Sequence, residues 1–135
     1  MEKDLFSLAK DFLITKLNPS VIIVFGSYAK GNTHPESDLD IAYFSQDNTA
    51  AAYDLFIYAQ ELADLLGVEV DLVNISEAST VFQAQIFSTG KTLYCKDDYI
   101  RMQMEMKAFS MYSKLNEERL PILNKIDESG SVYEE

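Results

Sequence analysis

Three short stretches of this chain hold residue types that act together on phosphates: Gly26-Ser27, Asp38-Leu39-Asp40 and Asp71. If Asp38 to Phe44 is a strand, its side chains alternate faces with a period of two. Asp38 and Asp40 then point the same way, while Leu39 and Ile41 point into the core. By that geometry the two carboxylates sit roughly 7 Å apart along the strand. Carboxylates held so close repel one another unless a cation neutralises them. Magnesium takes oxygen ligands and favours one or two carboxylates together with substrate phosphates. A pair of ions about 3.5–4 Å apart would span such a site and clamp an in-line displacement at phosphorus.

Two further stretches complete the constellation. In Val68-Glu69-Val70-Asp71-Leu72 the apolar residues share one face of a strand and Glu69 and Asp71 the other. An unpaired charge on a central strand is costly, and a metal at Asp71 would remove that cost. Asp71 would then bind the ion that acidifies an attacking hydroxyl, or take its proton. Gly26-Ser27 falls at a strand-to-helix turn, where glycine lets a phosphate approach the backbone and freed amides favour anions. The Ser27 hydroxyl can donate to a β- or γ-phosphate, and Lys30, one helical turn on, can face the triphosphate. Each piece alone has an ordinary reading: solvated strand-edge charge, a plain turn, a surface lysine. The order strand, Gly-Ser, strand with Asp-x-Asp, strand with Asp is much harder to reach by accident. His34, the one histidine, reads as an exposed loop residue between Gly31 and Pro35. Cys95, the one cysteine, reads as a small buried strand residue.

The elements that must position these residues follow from the apolar pattern. Leu5, Leu8, Ala9, Phe12 and Leu13 recur at helical spacing over Lys3 to Lys16, and Asn18-Pro19 stops that helix. Val21 to Phe25 is an unbroken β-branched run, the pattern of a strand buried on both faces. Asn48 to Leu66 carries a continuous helical stripe with Gly67 as its C-cap. Val68 to Val73 reads as a third strand, Ser76 as the cap of a short helix ending near Gly90, and Lys91 to Cys95 as an edge strand. A last helix runs from about Asp97 to Leu115, with Pro121 limiting its extension. The expected fold is α/β (α+β), a mixed sheet flanked by helices. One domain is expected over residues 1–119, with 120–135 a C-terminal extension whose acidic end is mobile.

Composition narrows the class of activity. The chain has 135 residues, 47% of them apolar, enough for one domain with a real core. No apolar run approaches the roughly 20 residues that span a bilayer. The N-terminus lacks the charge and apolar stretch of a signal peptide, so a cytoplasmic protein is expected. The net charge of −11 leaves little basic surface to release counterions from nucleic acid, so no stable nucleic-acid binding is expected. It suits a basic protein partner, although solubility alone would also explain it.

Gly26-Ser27-Tyr28-Ala29-Lys30-Gly31 followed by Ser37-Asp38-Leu39-Asp40-Ile41 resembles the signature of the DNA polymerase beta-like nucleotidyltransferase superfamily. The short length is similar to its minimal branch, many of whose members are antitoxins paired with HEPN-domain ribonuclease toxins. The resemblance implies a nucleotidyltransferase fold and transfer of AMP from ATP, with magnesium, onto a toxin tyrosine. It implies nucleotide binding at Gly26 and Ser27 and metal binding at Asp38, Asp40 and Asp71. Two alternatives stay open: neutralisation of a partner by binding alone, and adenylylation of a small hydroxylated molecule. Relatives of the latter kind carry a second substrate domain.

Overall fold

The computed structural model describes the backbone of residues 2–31, 33, 37–46 and 50–129, with side-chain packing described between residues 5 and 118 of these. His34 and Pro35 lie outside the described residues. Helix α1 spans Glu2–Leu17. Its buried stripe is Ala9, Leu13 and Leu17, whereas Leu8, expected on that stripe, is 45% exposed. The helix ends at Asn18, whose φ of 45° is left-handed. Asparagine tolerates that region because its short side chain bonds locally.

Strand β1 (Val21–Phe25) then enters the centre of a four-stranded sheet of order β3-β2-β1-β4. It pairs antiparallel with β2 (Leu39–Phe44) on one side and with β4 (Lys91–Cys95) on the other. Strand β3 (Val70–Asn74) runs parallel to β2, reached through α3 (Ala52–Leu66). Gly67 closes α3 at φ +75°, its N–H donating to the Ala63 carbonyl at 2.8 Å. The expected start of α3 at Asn48 falls outside the described residues.

Period-two alternation sends the strand side chains into two cores. Ile22, Val24, Leu39, Ile41 and Tyr43 pack against α1 and α3. Val21, Ile23 and Ala42 pack on the other face, with Ile75, Ile86 and the partly buried Phe82 and Met104. That second face is covered by α4 (Thr80–Thr89) and by α5 (Asp98–Ser129). A 3-10 turn, Ile75–Glu77, precedes α4. Ser79 caps α4, its Oγ accepting from the Phe82 N–H at 3.1 Å, so the cap is not Ser76. Ser76 instead donates its N–H to Asn74 Oδ1 within the turn.

Two expectations change. Strand β3 is an edge of the sheet, not a central strand. The last helix does not stop near Leu115 but continues through Pro121 to Ser129. Proline removes one ladder bond at a cost of about 3 kcal/mol and so discourages a helix without forbidding it. The boundary drawn at residues 119 and 120 therefore falls within α5. Among the described residues no helix is long and apolar enough to cross a membrane.

Candidate active site

The turn after β1 sets the geometry. Gly26 adopts φ 72° and ψ −149°, a region essentially confined to glycine. Its carbonyl accepts from the N–H groups of Ala29 and Lys30 at 3.1 and 3.2 Å, which starts the four-residue helix α2 (Ser27–Lys30). Gly31 ends α2 at φ +78°, donating to the Ser27 carbonyl at 3.0 Å. The chain thus reverses sharply with the Ser27 side chain at the helix start.

Gly26 also sits against Asp40. A Cβ built on Gly26 would overlap the Asp40 carboxylate oxygen and lie 3.3 Å from its Cγ. The sheet explains the approach, because Phe25 and Asp40 are cross-strand partners in the antiparallel β1–β2 pair. On its other side Asp40 is in register with Asp71 in the parallel β2–β3 pair. By alternation Asp40 and Asp71 share the face of Ala42 and Val73, the face covered by α4 and α5. The Phe25 ring meets the Phe82 ring of α4 edge-on, 5.6 Å between centroids. This aromatic pair borders Asp40 on the same face. Its sequence signal was weak: Phe25 merely ends an apolar run.

Asp38 precedes β2 rather than beginning it and is exposed, while Leu39 donates its N–H to the Glu69 carbonyl at 2.8 Å. Asp71 is also exposed, as befits an edge strand. The burial cost expected at Asp71 therefore falls on Asp40 instead. The Asp40 carboxyl is pushed from 3.8 up to about 6, first by desolvation and then by the charges of Asp71 and Asp38. Asp40 thus lies against Gly26 and feels the charges of Asp71 and Asp38. Lys30 is exposed on the last turn of α2 and is not among the charges acting on Asp40. Among the described residues no three His, Cys, Asp or Glu side chains close around a point that could hold an ion. The carboxylates are grouped without converging.

The raised value has a consequence for stability. Because folding raises this pKa, the folded state holds the proton more tightly than the unfolded one. Asp40 therefore removes stability as pH climbs from 3.8 to about 6, and the penalty is full above that. In metal-free protein, Asp40→Asn is expected to raise Tm near neutral pH, with the gain fading as pH falls toward 4. A relief of about 1 kcal/mol corresponds to roughly 3–6 °C for a chain of this size. Thermal melts of both proteins in EDTA across this range check it. A gain that persists undiminished at low pH would show that charge relief is not its source.

Residues 9–99 match the family described as Polymerase beta, Nucleotidyltransferase. The chain is 38% identical over 110 residues to protein adenylyltransferase MntA of Shewanella oneidensis, covering 78% of this chain and 75% of that protein. It is 36% identical over 73 residues to a putative protein adenylyltransferase of Methanocaldococcus jannaschii, covering 53% and 71%. Among solved structures, it is similar to a chain of a toxin–antitoxin complex with AMP-PNP, at TM-score 0.81 and 32% identity over 90% of this chain and 97% of that one. It is also similar to a chain of the complex of a tri-AMPylated Shewanella oneidensis HEPN toxin with MNT antitoxin. That likeness has TM-score 0.78 and 29% identity over 93% and 98%.

Proposed function

Because the chain belongs to the polymerase beta-type nucleotidyltransferase family, we propose that it is a magnesium-dependent protein adenylyltransferase that silences a HEPN toxin by moving AMP from ATP onto a toxin tyrosine. The observation that carries this reading is the register of Asp40 with Asp71, beside a glycine turn that leaves no room for a side chain. The relatives' names support the acceptor class, and the complex with AMP-PNP supports an adenine nucleotide as donor.

The residues fit magnesium. The donor set is oxygen alone, and the mutual repulsion registered at Asp40 is what a cation would relieve. Asp38, Asp40 and Asp71, which do not converge on one point in this structure, would hold it once their side chains turn toward it. When bound, magnesium neutralises triphosphate charge and acidifies the attacking hydroxyl. The backbone after Gly26 would approach the triphosphate, and the Ser27 hydroxyl would donate to a β- or γ-phosphate oxygen. Lys30 adds positive charge at the end of α2. In the transfer, the tyrosine oxygen bonds to the α-phosphorus. The bond from that phosphorus to the bridging oxygen breaks, and pyrophosphate leaves with the electron pair. Asp71, exposed at the sheet edge, would receive the hydroxyl proton. Most of the protein's contribution is orientation and charge neutralisation.

Co-expression with a HEPN-domain protein of the same organism, followed by intact-mass analysis, tests the reading. The partner should gain AMP on tyrosine. A stable, inhibited complex whose partner carries no added mass would instead favour neutralisation by occupancy. Ser27→Ala is expected to weaken triphosphate use by about 1–3 kcal/mol, the loss of a hydrogen bond to a charged oxygen. Asp71→Asn should reduce chiefly the rate. Nucleotide titrations and single-turnover assays separate the two effects, and an Asp71→Asn enzyme of normal rate would remove Asp71 from the mechanism.

A further inference from the structure

The sheet face that bears Asp40 and Asp71 is covered by α4 and α5, and this cover leaves several large apolar side chains exposed. Helix α5 buries Ala108 and half-buries Met104 against α4 and the sheet. A second stripe, Tyr99, Met102, Met106 and Phe109, follows the same helix at spacings of three and four residues. Met102 and Met106 on it are 52% and 69% exposed. Helical geometry turns this stripe roughly 160° away from the buried one. Beside Phe109, residues Val81 and Tyr112 line a groove of about 350 Å³ between α4 and α5. A helix needs only one apolar stripe to dock on its own sheet. Methionine-rich surface adapts to varied apolar partners.

We infer that the outer face of α4 and α5 is the platform on which the acceptor protein docks, through an apolar segment. The inference rests on the adenylyltransferase reading above and assigns the surface that reading leaves open. The overall charge of −11 attracts a cationic protein at long range, while the face itself is nearly neutral: α4 has no charged residue, and residues 98–118 have four acidic and three basic ones. Position supports it as well. Phe82 on the inner side of α4 touches Phe25, the cross-strand partner of Asp40, while its neighbour Val81 lines the groove. A protein held there lies on the same side of the sheet as the carboxylates.

The test uses the 135-residue chain and a HEPN-domain protein of the same organism. In the variant Met102→Asp/Met106→Asp both new side chains point to solvent, so the fold is retained. Its partner affinity, measured by calorimetry, should fall at least tenfold, and its nucleotide affinity should not change. Wild-type affinity should weaken with added salt. Phe56→Asp serves as control: Phe56 is 59% exposed on α3, across the sheet, and its change should leave binding intact. Partner binding within twofold of wild type for the double variant overturns the inference. So does loss of binding in Phe56→Asp alone, a wild-type chain that binds no partner, salt-independent binding, or a homodimer that the double variant dissociates without affecting partner binding. AMP transfer is read separately. A complex that forms and is lost in the double variant, yet never transfers AMP, rejects the enzymatic reading and keeps the platform. Transfer undiminished in the double variant does the reverse.

Discussion

Asp38→Asn and Asp40→Asn are each expected to lower AMP transfer about 10³-fold or more at saturating nucleotide, equivalent to about 4 kcal/mol of transition-state stabilisation. Asparagine keeps the shape of aspartate and one of its oxygens but loses the charge that holds a divalent ion. The two positions differ in what else they change. Asp38 is exposed and precedes β2, so its replacement should leave stability almost unaltered. Asp40 is half-buried and already strained by desolvation and by Asp71 and Asp38, so its replacement should stabilise the metal-free fold while abolishing transfer. Opposite movement of stability and activity at one residue marks a site whose charge serves function. Single-turnover AMP transfer with and without magnesium, beside thermal melts, measures both. Near-normal magnesium-dependent transfer by both variants would be incompatible with the assigned roles.

Gly26→Ala should be a single-methyl change that strongly damages AMP transfer. Two costs coincide. The backbone at φ 72° and ψ −149° is one that non-glycine residues adopt only under strain of about 1–3 kcal/mol. The new Cβ also overlaps the Asp40 carboxylate oxygen, so that side chain must turn away from its present position beside Gly26. Displacement of about 1 Å at a reacting centre costs on the order of 10²-fold in rate. The expected result is a loss of at least that size together with a lower Tm. Gly31→Ala is the comparison. Gly31 also has positive φ, at +78°, but nothing lies within 4 Å of its Cβ position. It should lose about 1 kcal/mol of stability through backbone strain alone and keep its activity. Equal activity loss in both variants would mean that general strain, and not the contact with Asp40, limits the reaction.

Much of the fold is legible in local patterns. The unbroken run Val21 to Phe25 announces a central strand because both its faces are buried. Lys91–Cys95 reads as an edge strand and is one. Gly67 ends α3 because the chain there needs a left-handed residue. Patterns that report a summed preference transfer less well. Pro121 lowers the helical preference of its segment, yet α5 continues through it. Leu8 fits the helical stripe of α1, yet the packing of α1 leaves it exposed.

The site divides along the same line. The residue types and their spacing determined by themselves that Gly26-Ser27 precedes an Asp-x-Asp pair and a later aspartate, because turn chemistry and strand alternation are local properties. The order of strands is not local. It depends on which hydrogen-bonding edges meet, and residues far apart in sequence decide that together. Only the tertiary structure therefore showed that β3 is an edge and Asp71 solvated. It showed too that Asp40, flanked by β1 and β3, bears the electrostatic cost. The same reason hid the contact between Gly26 and Asp40: it exists because the antiparallel register of β1 and β2 brings Phe25 opposite Asp40, and no spacing along the chain encodes that register.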